Sequence, residues 1–468
     1  MSSEAAEQLQ HFVQSLPEPA LKKLAATIEL DRGENRYGLP HDAIMQILRP
    51  RLAEIRAPRV FTAQRMLCVP FEDMLVVKDP GYKETGHILR RSIMPMWKLL
   101  TEELIPEAWP RLAEAFTAAQ KAGDEARSDA AASAIWDAAA EALVGWIAEQ
   151  EADPELLRKA SKQLGGTRNL EDVKEMAFTL RIADILESAK ASLPRKPILN
   201  LNQEQVNVLK RHYDQVTEQH PGFELYFLTA IMGRLLQPFP ILKLVRAVTP
   251  KLDDTLASRP DLATAGNMVI RALEADAERV SAVAEEEGAT EEEMMSRVRR
   301  FAAAFKGITS DIGVRRDGEW GRRMYQCRGQ VSDAVQRMIL GDAERVVLLV
   351  LPKSGSRPVA DFSELPDEAR FDRSERRARA LGEAMAIAEE IGLQSACAST
   401  INSLRKDLDN YAARIIARLP KAEEAEEIER ARAHLATAVR LIELISNSDE
   451  ADLLRRRGNA ALDRKAMS

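Results

Sequence analysis

The chain has 468 residues, 45% hydrophobic and 30% charged, and its net charge is −7 from 66 basic and 73 acidic residues. This length indicates two to four domains, and the apolar content excludes a chain that is disordered throughout. The near balance of charge argues against broad nucleic-acid binding, which usually shows a basic excess. Good helix formers such as Ala, Leu, Glu and Arg are prominent.

The cysteines and the N-terminus bear on compartment and metal content. Cys68, Cys327 and Cys397 lie far apart, and no CxxC or Cys/His cluster exists. The usual spacing of a structural zinc site is therefore absent, and a disulfide scaffold is not expected. The first residues, MSSEAAEQLQ, lack the basic and apolar regions of a signal peptide. We therefore expect a cytoplasmic protein without a metal or cofactor.

Helical apolar spacing dominates the N-terminal region, which we delimit at residues 1–195. Residues 58–85 are less regular, so a short strand or an irregular loop is open there. We interpret Asn169, with Asp172 three residues later, as the cap of a helix that runs to about Ser192. The predicted helices cover 4–16, a segment from 19 on, 41–55, 87–105, 108–150 in two parts divided at 123–124, 154–165 and 169–192.

A turn-rich segment, SLPRKPILNLN at 192–202, is the predicted first boundary. The middle helical domain follows at 203–351. Its most apolar stretch, 223–248, is interrupted by charges and by two prolines, whereas a membrane-spanning helix needs about 20 mostly apolar residues. We interpret the stretch as two buried helices. The alternative is a peripheral membrane protein in which this hairpin enters a membrane surface, with Arg234 and Lys243 reaching the interface.

The end of the middle domain carries a β-branched run, VVLLVL at 346–351. Strand and helix are both open for these six residues. We predict a helix over 343–351, because a lone strand has no partner in the sequence. Residues 352–373 are polar, contain prolines and lack periodicity, so we predict a linker there.

Apolar residues in the last hundred positions recur alternately three and four apart, which gives each helix one apolar stripe. The stripes are short and separated at Gly392 and Pro420. This pattern favours a self-contained bundle of three or four antiparallel helices at 374–463 over an intermolecular coiled coil. The stripe residues are Ala378, Leu381, Met385 and Ala388, then Cys397, Ile401, Leu404, Leu408, Tyr411 and Ile415, then Ile428, Ala431, Leu435, Ala438, Ile442 and Ile445.

The most unusual composition lies in a predicted loop at 307–329, with the sequence GVRRDGEWGRRMYQCRG from residue 313 on. Arginine recognises carboxylates and phosphates with two hydrogen bonds, and aromatic rings offer stacking surfaces. Binding of an acidic or phosphorylated partner is therefore one interpretation. The alternative, which we favour, is a solvated loop whose Trp320 packs on a neighbouring helix and whose arginines pair with glutamates. The predicted binding residues are Arg315, Arg316, Trp320, Arg322, Arg323, Tyr325 and Arg328.

Two short motifs raise the alternative of a helical metal-dependent enzyme whose site assembles from distant residues. His41-Asp42, with His11 upstream, has the order seen in metal phosphohydrolases, but Pro40 before it favours a helix start. The spacing of Glu84 and His87 occurs in di-iron bundles, which need a second such pair that the sequence lacks.

Other catalytic motifs give no assignment. Asp253-Asp254 is not followed by a third aspartate in register, and the pair is typical of a turn that enters a helix. No Gly-x-Ser-x-Gly elbow and no glycine-rich phosphate loop is present.

Together these patterns predict an all-α chain, an irregular helical array of several domains that ends in a helical bundle. The function expected from pervasive amphipathic helices without catalytic motifs is a cytosolic, non-enzymatic interaction or scaffold protein that binds other proteins.

Overall fold

The computed structural model describes residues 9, 12–34, 40–55, 61–77, 79, 81–249, 260–311, 314, 316–354, 357–359, 361, 363–422, 424–446 and 448–466. The described chain is all-α, as predicted. Its strands are two pairs of two residues each: β1 (Leu75–Val76) pairs in parallel with β2 (Ile88–Leu89), and β3 (Lys353–Ser354) is antiparallel to β4 (Arg357–Pro358).

Most predicted helices up to residue 248 are confirmed, with short 3-10 turns at Glu72–Met74 and Arg90–Ser92 and a π turn at Leu99–Leu104. The break at 123–124 is confirmed, because the Asp124 side chain accepts a hydrogen bond from Arg127 N and caps the next helix. The helices are α1 (Glu18–Glu34), α2 (His41–Ile55), α3 (Ala63–Cys68), α4 (Ile93–Lys98), α5 (Ala108–Ala122), α6 (Glu125–Glu151), α7 (Pro154–Gln163), α8 (Thr167–Arg181), α9 (Ala183–Ala191), α10 (Gln203–Gln219), α11 (Glu224–Met232) and α12 (Ile241–Val248).

The remaining helices reach residue 466. A π turn at Gln336–Leu340 and 3-10 turns at Leu348–Val350 and Leu419–Lys421 lie between them. The helices are α13 (Pro260–Glu285), α14 (Glu291–Asp311), α15 (Glu319–Val335), α16 (Ala343–Val347), α17 (Glu368–Ala386), α18 (Ala388–Ile391), α19 (Gln394–Arg418), α20 (Ala425–Ile445) and α21 (Ser448–Ala466).

By its internal contacts the chain divides into two compact units. The first takes in Met1–Glu34, Pro40–Ala272 and Gly307–Trp320, and the second takes in Leu273–Lys306 and Gly321–Ser468. The predicted middle domain, 203–351, is therefore divided between the units. Whether the predicted boundaries mark parts that fold on their own stays a prediction.

In the first unit, α6 packs against α5 and α8, and α10 packs against α12. Helices α1 and α2 pack on each other around a small core of their own, which includes Leu21 and Leu48. The apolar stretch 223–248 forms α11 and α12, whose side chains are mostly buried, as the interpretation as two buried helices requires. No helix of the described chain is long and apolar enough to cross a membrane.

In the second unit, α20 packs against α17, α19 and α21. The predicted stripe residues of α19 and most of those of α20 are buried between these helices. Ala378 and Leu381 of the α17 stripe are buried as predicted, but Met385 is 36% exposed and Ala384 beside it is buried instead. Burial inside the unit leaves the coiled-coil prediction without support.

The prediction of a loop over 307–329 is wrong. Helix α14 continues to Asp311 and α15 begins at Glu319, while residues 312, 313 and 315 lie outside the described chain. The segment is helical because an apolar stripe spaced four, three and four residues apart is buried there, despite the glycines and arginines between its members. The stripe consists of Trp320, Met324, Cys327 and Val331.

Three smaller predictions can also be compared with the structure. The run 346–350 is helical through α16 and the 3-10 turn that follows it, as predicted, and Leu351 is extended. The predicted linker 352–373 instead holds the β3–β4 hairpin and the start of α17, where the Asp367 side chain accepts a hydrogen bond from Arg370 N. Asn169 is not a cap, because α8 begins at Thr167 and the Asn169 side chain donates back to Leu164 O.

Candidate functional site

A cavity of about 290 Å³ lies within the first unit. The Glu72–Met74 turn and the segment that leads into β2 form one side, and α11 and α13 form another. The described lining residues are Asp73, Met74, Val76, Glu84, Gly86, His87, Thr229, Met232, Gly233, Leu235, Pro238, Met268 and Ala272. A mostly apolar wall with a few convergent polar groups is typical of a small-molecule site.

The polar corner of the cavity is a carboxylate–imidazole pair. Nδ1 of His87 lies 2.9 Å from Oε2 of Glu84, and the side chains are 44% and 15% exposed respectively. The hydrogen bond from His87 lowers the pKa of Glu84 below its usual value, despite partial burial of the carboxyl group. Glu84 is therefore ionised at neutral pH, and its two oxygen atoms only accept hydrogen bonds.

A buried ion cluster holds this pair in place. Nζ of Lys83 lies 2.8 Å from Oδ1 of Asp172 and 3.0 Å from Oε2 of Glu175. The same Nζ donates to the backbone oxygen of His87 at 3.1 Å. One ammonium group therefore ties the segment that carries Glu84 and His87 to two carboxylates of α8.

The two α8 carboxylates also accept hydrogen bonds from that segment and from the residues that follow it. Oδ2 of Asp172 accepts from Leu89 N at 3.0 Å and from Ser92 Oγ at 2.7 Å, and Oε2 of Glu175 accepts from Gly86 N at 3.1 Å. Because they are three residues apart, both carboxylates face the same way. Burial raises the pKa of Glu175, although Lys83 and the Gly86 N–H oppose it.

Gly86 lets the segment lie close to the neighbouring helices. Its φ is +80°, and a Cβ atom there would be 2.9 Å from Cβ of Thr229 and 3.2 Å from Cε of Met268. Any other residue would strain the backbone and collide with the wall of the cavity. The position of Glu84 and His87 thus depends on this glycine and on the Lys83 cluster.

A second ion cluster fixes the Glu72–Met74 turn, which also lines the cavity. The Asp73 side chain is fully buried and pairs with Lys190, Lys196 and Arg234, with separations of 3.5 Å to Lys190 and 3.1 Å to Arg234. Burial alone would raise the pKa of Asp73, but these three cations hold it below its usual value. A Cβ atom on Gly233 would lie 2.2 Å from the Asp73 backbone oxygen, so the turn and the end of α11 meet without room for a side chain.

Two of the predicted binding residues of 307–329, Trp320 and Arg323, have partners inside their own units. Nε1 of Trp320, which is buried, donates to Oδ1 of Asn267 at 2.8 Å. Arg323 forms two hydrogen bonds with the Glu274 carboxylate, at 2.7 and 2.9 Å. These contacts match the alternative in which Trp320 packs on a helix and an arginine pairs with a glutamate.

The other residues of the predicted site are placed as follows. Arg328 donates to the Glu389 backbone oxygen, and its guanidinium carbon lies 5.5 Å from the centre of the Phe305 ring. The Tyr325 ring meets the same Phe305 edge to face at 5.9 Å. Arg316 and Arg322 are exposed, and Arg315 lies outside the described chain. Binding of an acidic or phosphorylated partner by these residues stays a prediction.

The first metal motif places its histidine beside an acid of the preceding helix. Nε2 of His41 lies 2.6 Å from Oδ2 of Asp31, and this contact joins the start of α2 to the end of α1. His11, the Asp42 side chain and Asp253-Asp254 lie outside what the structure describes. Where side chains are described, no three His, Cys, Asp or Glu residues are grouped so that they could hold a metal ion.

Comparison with protein families, with curated proteins and with solved structures found no match to this chain. The functional interpretation therefore rests on the geometry of the chain itself.

Proposed function

We propose that the first unit binds a small, partly apolar molecule in the cavity beside Glu84 and His87, and that this binding is the protein's molecular function. The observation that carries the proposal is the Glu84–His87 pair at 2.9 Å on the wall of an otherwise largely apolar cavity. Apolar side chains would supply contact area, and the pair would orient the ligand.

The support around the pair strengthens this proposal. Lys83, Asp172 and Glu175 are charged groups taken out of water, which is expensive unless each has a partner. All of them contact the segment that presents Glu84 and His87. Functional side chains need such a fixed second layer to keep their geometry.

Blocking the cavity tests the proposal. The chain has 15 methionines, and three of them, Met74, Met232 and Met268, line the cavity. With [¹³C-methyl]methionine-labelled protein, ligands found in a small-molecule screen should shift these three resonances. The variant Ala272→Phe fills the cavity and should abolish the shifts. Ala263→Phe, the same change on the same helix outside the lining, should keep them. Shifts that persist in Ala272→Phe, or a screen without any that reach the three methionines, would contradict the proposal.

The interaction or scaffold role is a second candidate, and a groove in the second unit favours it. The groove has a volume of about 590 Å³ and lies along α20 and α21. Two arginines beside an apolar floor suit an acidic amphipathic segment of a partner protein. Its described lining consists of Arg432, Leu435, Ala436, Val439, Arg455, Gly458 and Asn459.

A pull-down tests this second candidate. The wild-type protein should capture a partner from an extract of its source cells that the double variant Arg432→Glu/Arg455→Glu does not capture. Arg370→Glu/Arg373→Glu, which reverses two exposed charges at the start of α17, serves as the control. Retention of every partner by the groove variant would contradict a role for the groove.

A further inference from the structure

We propose that the ligand of the Glu84–His87 cavity is a small organic cation, an ammonium or amidinium group attached to an apolar body. This inference rests on the proposed function and specifies the chemistry of the ligand. Its basis is the hydrogen-bonding inventory of the cavity wall, which in the described residues offers acceptors to a ligand.

The accepting atom belongs to Glu84. Oε2 of Glu84 lies against His87, while Oε1 of Glu84 forms no hydrogen bond within the described residues. An ionised carboxylate oxygen only accepts hydrogen bonds. A ligand that meets Oε1 must therefore bring the hydrogen atom.

Three donors of the wall are used within the protein. The backbone N–H of Gly86 binds Glu175, and that of His87 binds the Glu84 backbone oxygen. The hydroxyl group of Thr229 donates to the Tyr226 backbone oxygen. The described lining contains no Lys, Arg, Asn, Gln, Trp or Tyr side chain. An anionic ligand would thus face the Glu84 carboxylate without a lysine, arginine or amide side chain to bind it.

The charges of the lining residues also favour a cationic ligand. The two charged residues of the described lining are Asp73 and Glu84. Asp73 is matched by its three cations, whereas Arg168 and Arg271 act on Glu84 from outside the described lining. These two arginines reduce the negative potential without offering a donor from the lining, so the preference for a cation is moderate. The apolar body would contact the three methionines, whose polarizable thioethers adapt to varied shapes.

Three probes of equal length test the inference: n-butylammonium, butan-1-ol and butanoate. Each is titrated into [¹³C-methyl]methionine-labelled protein, with Met74, Met232 and Met268 assigned by single Met→Leu changes, which cores tolerate well. We expect n-butylammonium to bind about tenfold more tightly than butan-1-ol, because both donate a hydrogen bond to the Glu84 carboxylate but only the ammonium adds a charge–charge attraction. Butanoate should bind weakest.

Two variants test whether the preference for a cation comes from Glu84. Glu84→Gln keeps an acceptor for His87 but removes the charge, so the affinities for n-butylammonium and butan-1-ol should become equal. Glu155→Gln, at an exposed carboxylate of α7, should keep the tenfold difference. A folded Glu84→Gln protein that retains the preference, or wild-type protein that binds butanoate as tightly as n-butylammonium, would overturn the inference and leave cavity binding intact. Failure of all three probes to shift the three methionines would count against the proposed function itself. The order of the three affinities in wild-type protein decides the inference even if Glu84→Gln does not fold.

Discussion

The segment that carries Glu84 and His87 and the start of α15 make an instructive comparison. The first has an ordinary composition, yet four charged side chains and a glycine of positive φ shape it into a cavity wall. The second has the most unusual composition of the chain, yet it is a helix. Charged side chains held out of water around one small segment thus identify a site more reliably than an unusual composition does, because the burial of charge is costly.

The largest effect on stability is expected from the loss of Asp172, the α8 carboxylate that accepts most of the hydrogen bonds from the segment around Glu84 and His87. Asp172→Ala leaves Leu89 N–H without a partner and removes one partner each from Ser92 Oγ and from Lys83. Removal of one member of a buried ion pair costs about 3–5 kcal/mol of folding free energy. Chemical denaturation of wild-type and variant protein measures it.

A neighbouring exposed carboxylate of α8 serves as the control. Glu171→Ala, whose side chain is 43% exposed beside Lys174, should change the free energy of unfolding by no more than about 0.5 kcal/mol. Equal costs for the two variants would mean that the ion cluster does not hold the cavity wall.

The ion cluster around Asp73 makes a second, pH-dependent comparison. The pKa of Asp73 in the folded protein lies below its ordinary value of 3.8, so folding favours the ionised form. Its contribution to stability is complete above pH 3.8 and is lost as the pH falls through the lower folded-state pKa. Asp73→Asn should cost about 3 kcal/mol at neutral pH. The difference from wild type should shrink below pH 3.8 in urea denaturation at a series of pH values, and a difference independent of pH would contradict this account.

The smallest effect is expected in α15. Arg323→Ala removes a pair of hydrogen bonds to Glu274, but the two side chains are 26% and 33% exposed. Solvent screening limits such a pair to about 0.5–1 kcal/mol. Thermal and urea unfolding of the variant measure this cost, and a loss above about 2 kcal/mol would show that this arginine stabilises the fold as strongly as the buried ions do.

The sequence predicted the helical class and most helices well, because amphipathic spacing and caps such as Asp124 are local signals. It failed at 307–329, where glycines and arginines obscured the stripe from Trp320 to Val331. It also assigned Asp172 to a helix cap and missed Glu175, although acids three residues apart on an otherwise apolar helix face are a detectable sign of buried charge. The meeting of α8 with a segment more than 80 residues earlier depends on tertiary packing, which no local pattern contains.

Binding of n-butylammonium by two variants tests most directly that the ligand site is the cavity rather than the arginine-rich helix. The variants are Ala272→Phe, and the quadruple change of Arg316, Arg322, Arg323 and Arg328 to Ala. The methyl shifts of Met74, Met232 and Met268 report binding in both. We expect Ala272→Phe to lose the shifts and the quadruple variant to bind with wild-type affinity. Wild-type binding by Ala272→Phe, or loss of binding in the folded quadruple variant, would contradict the account.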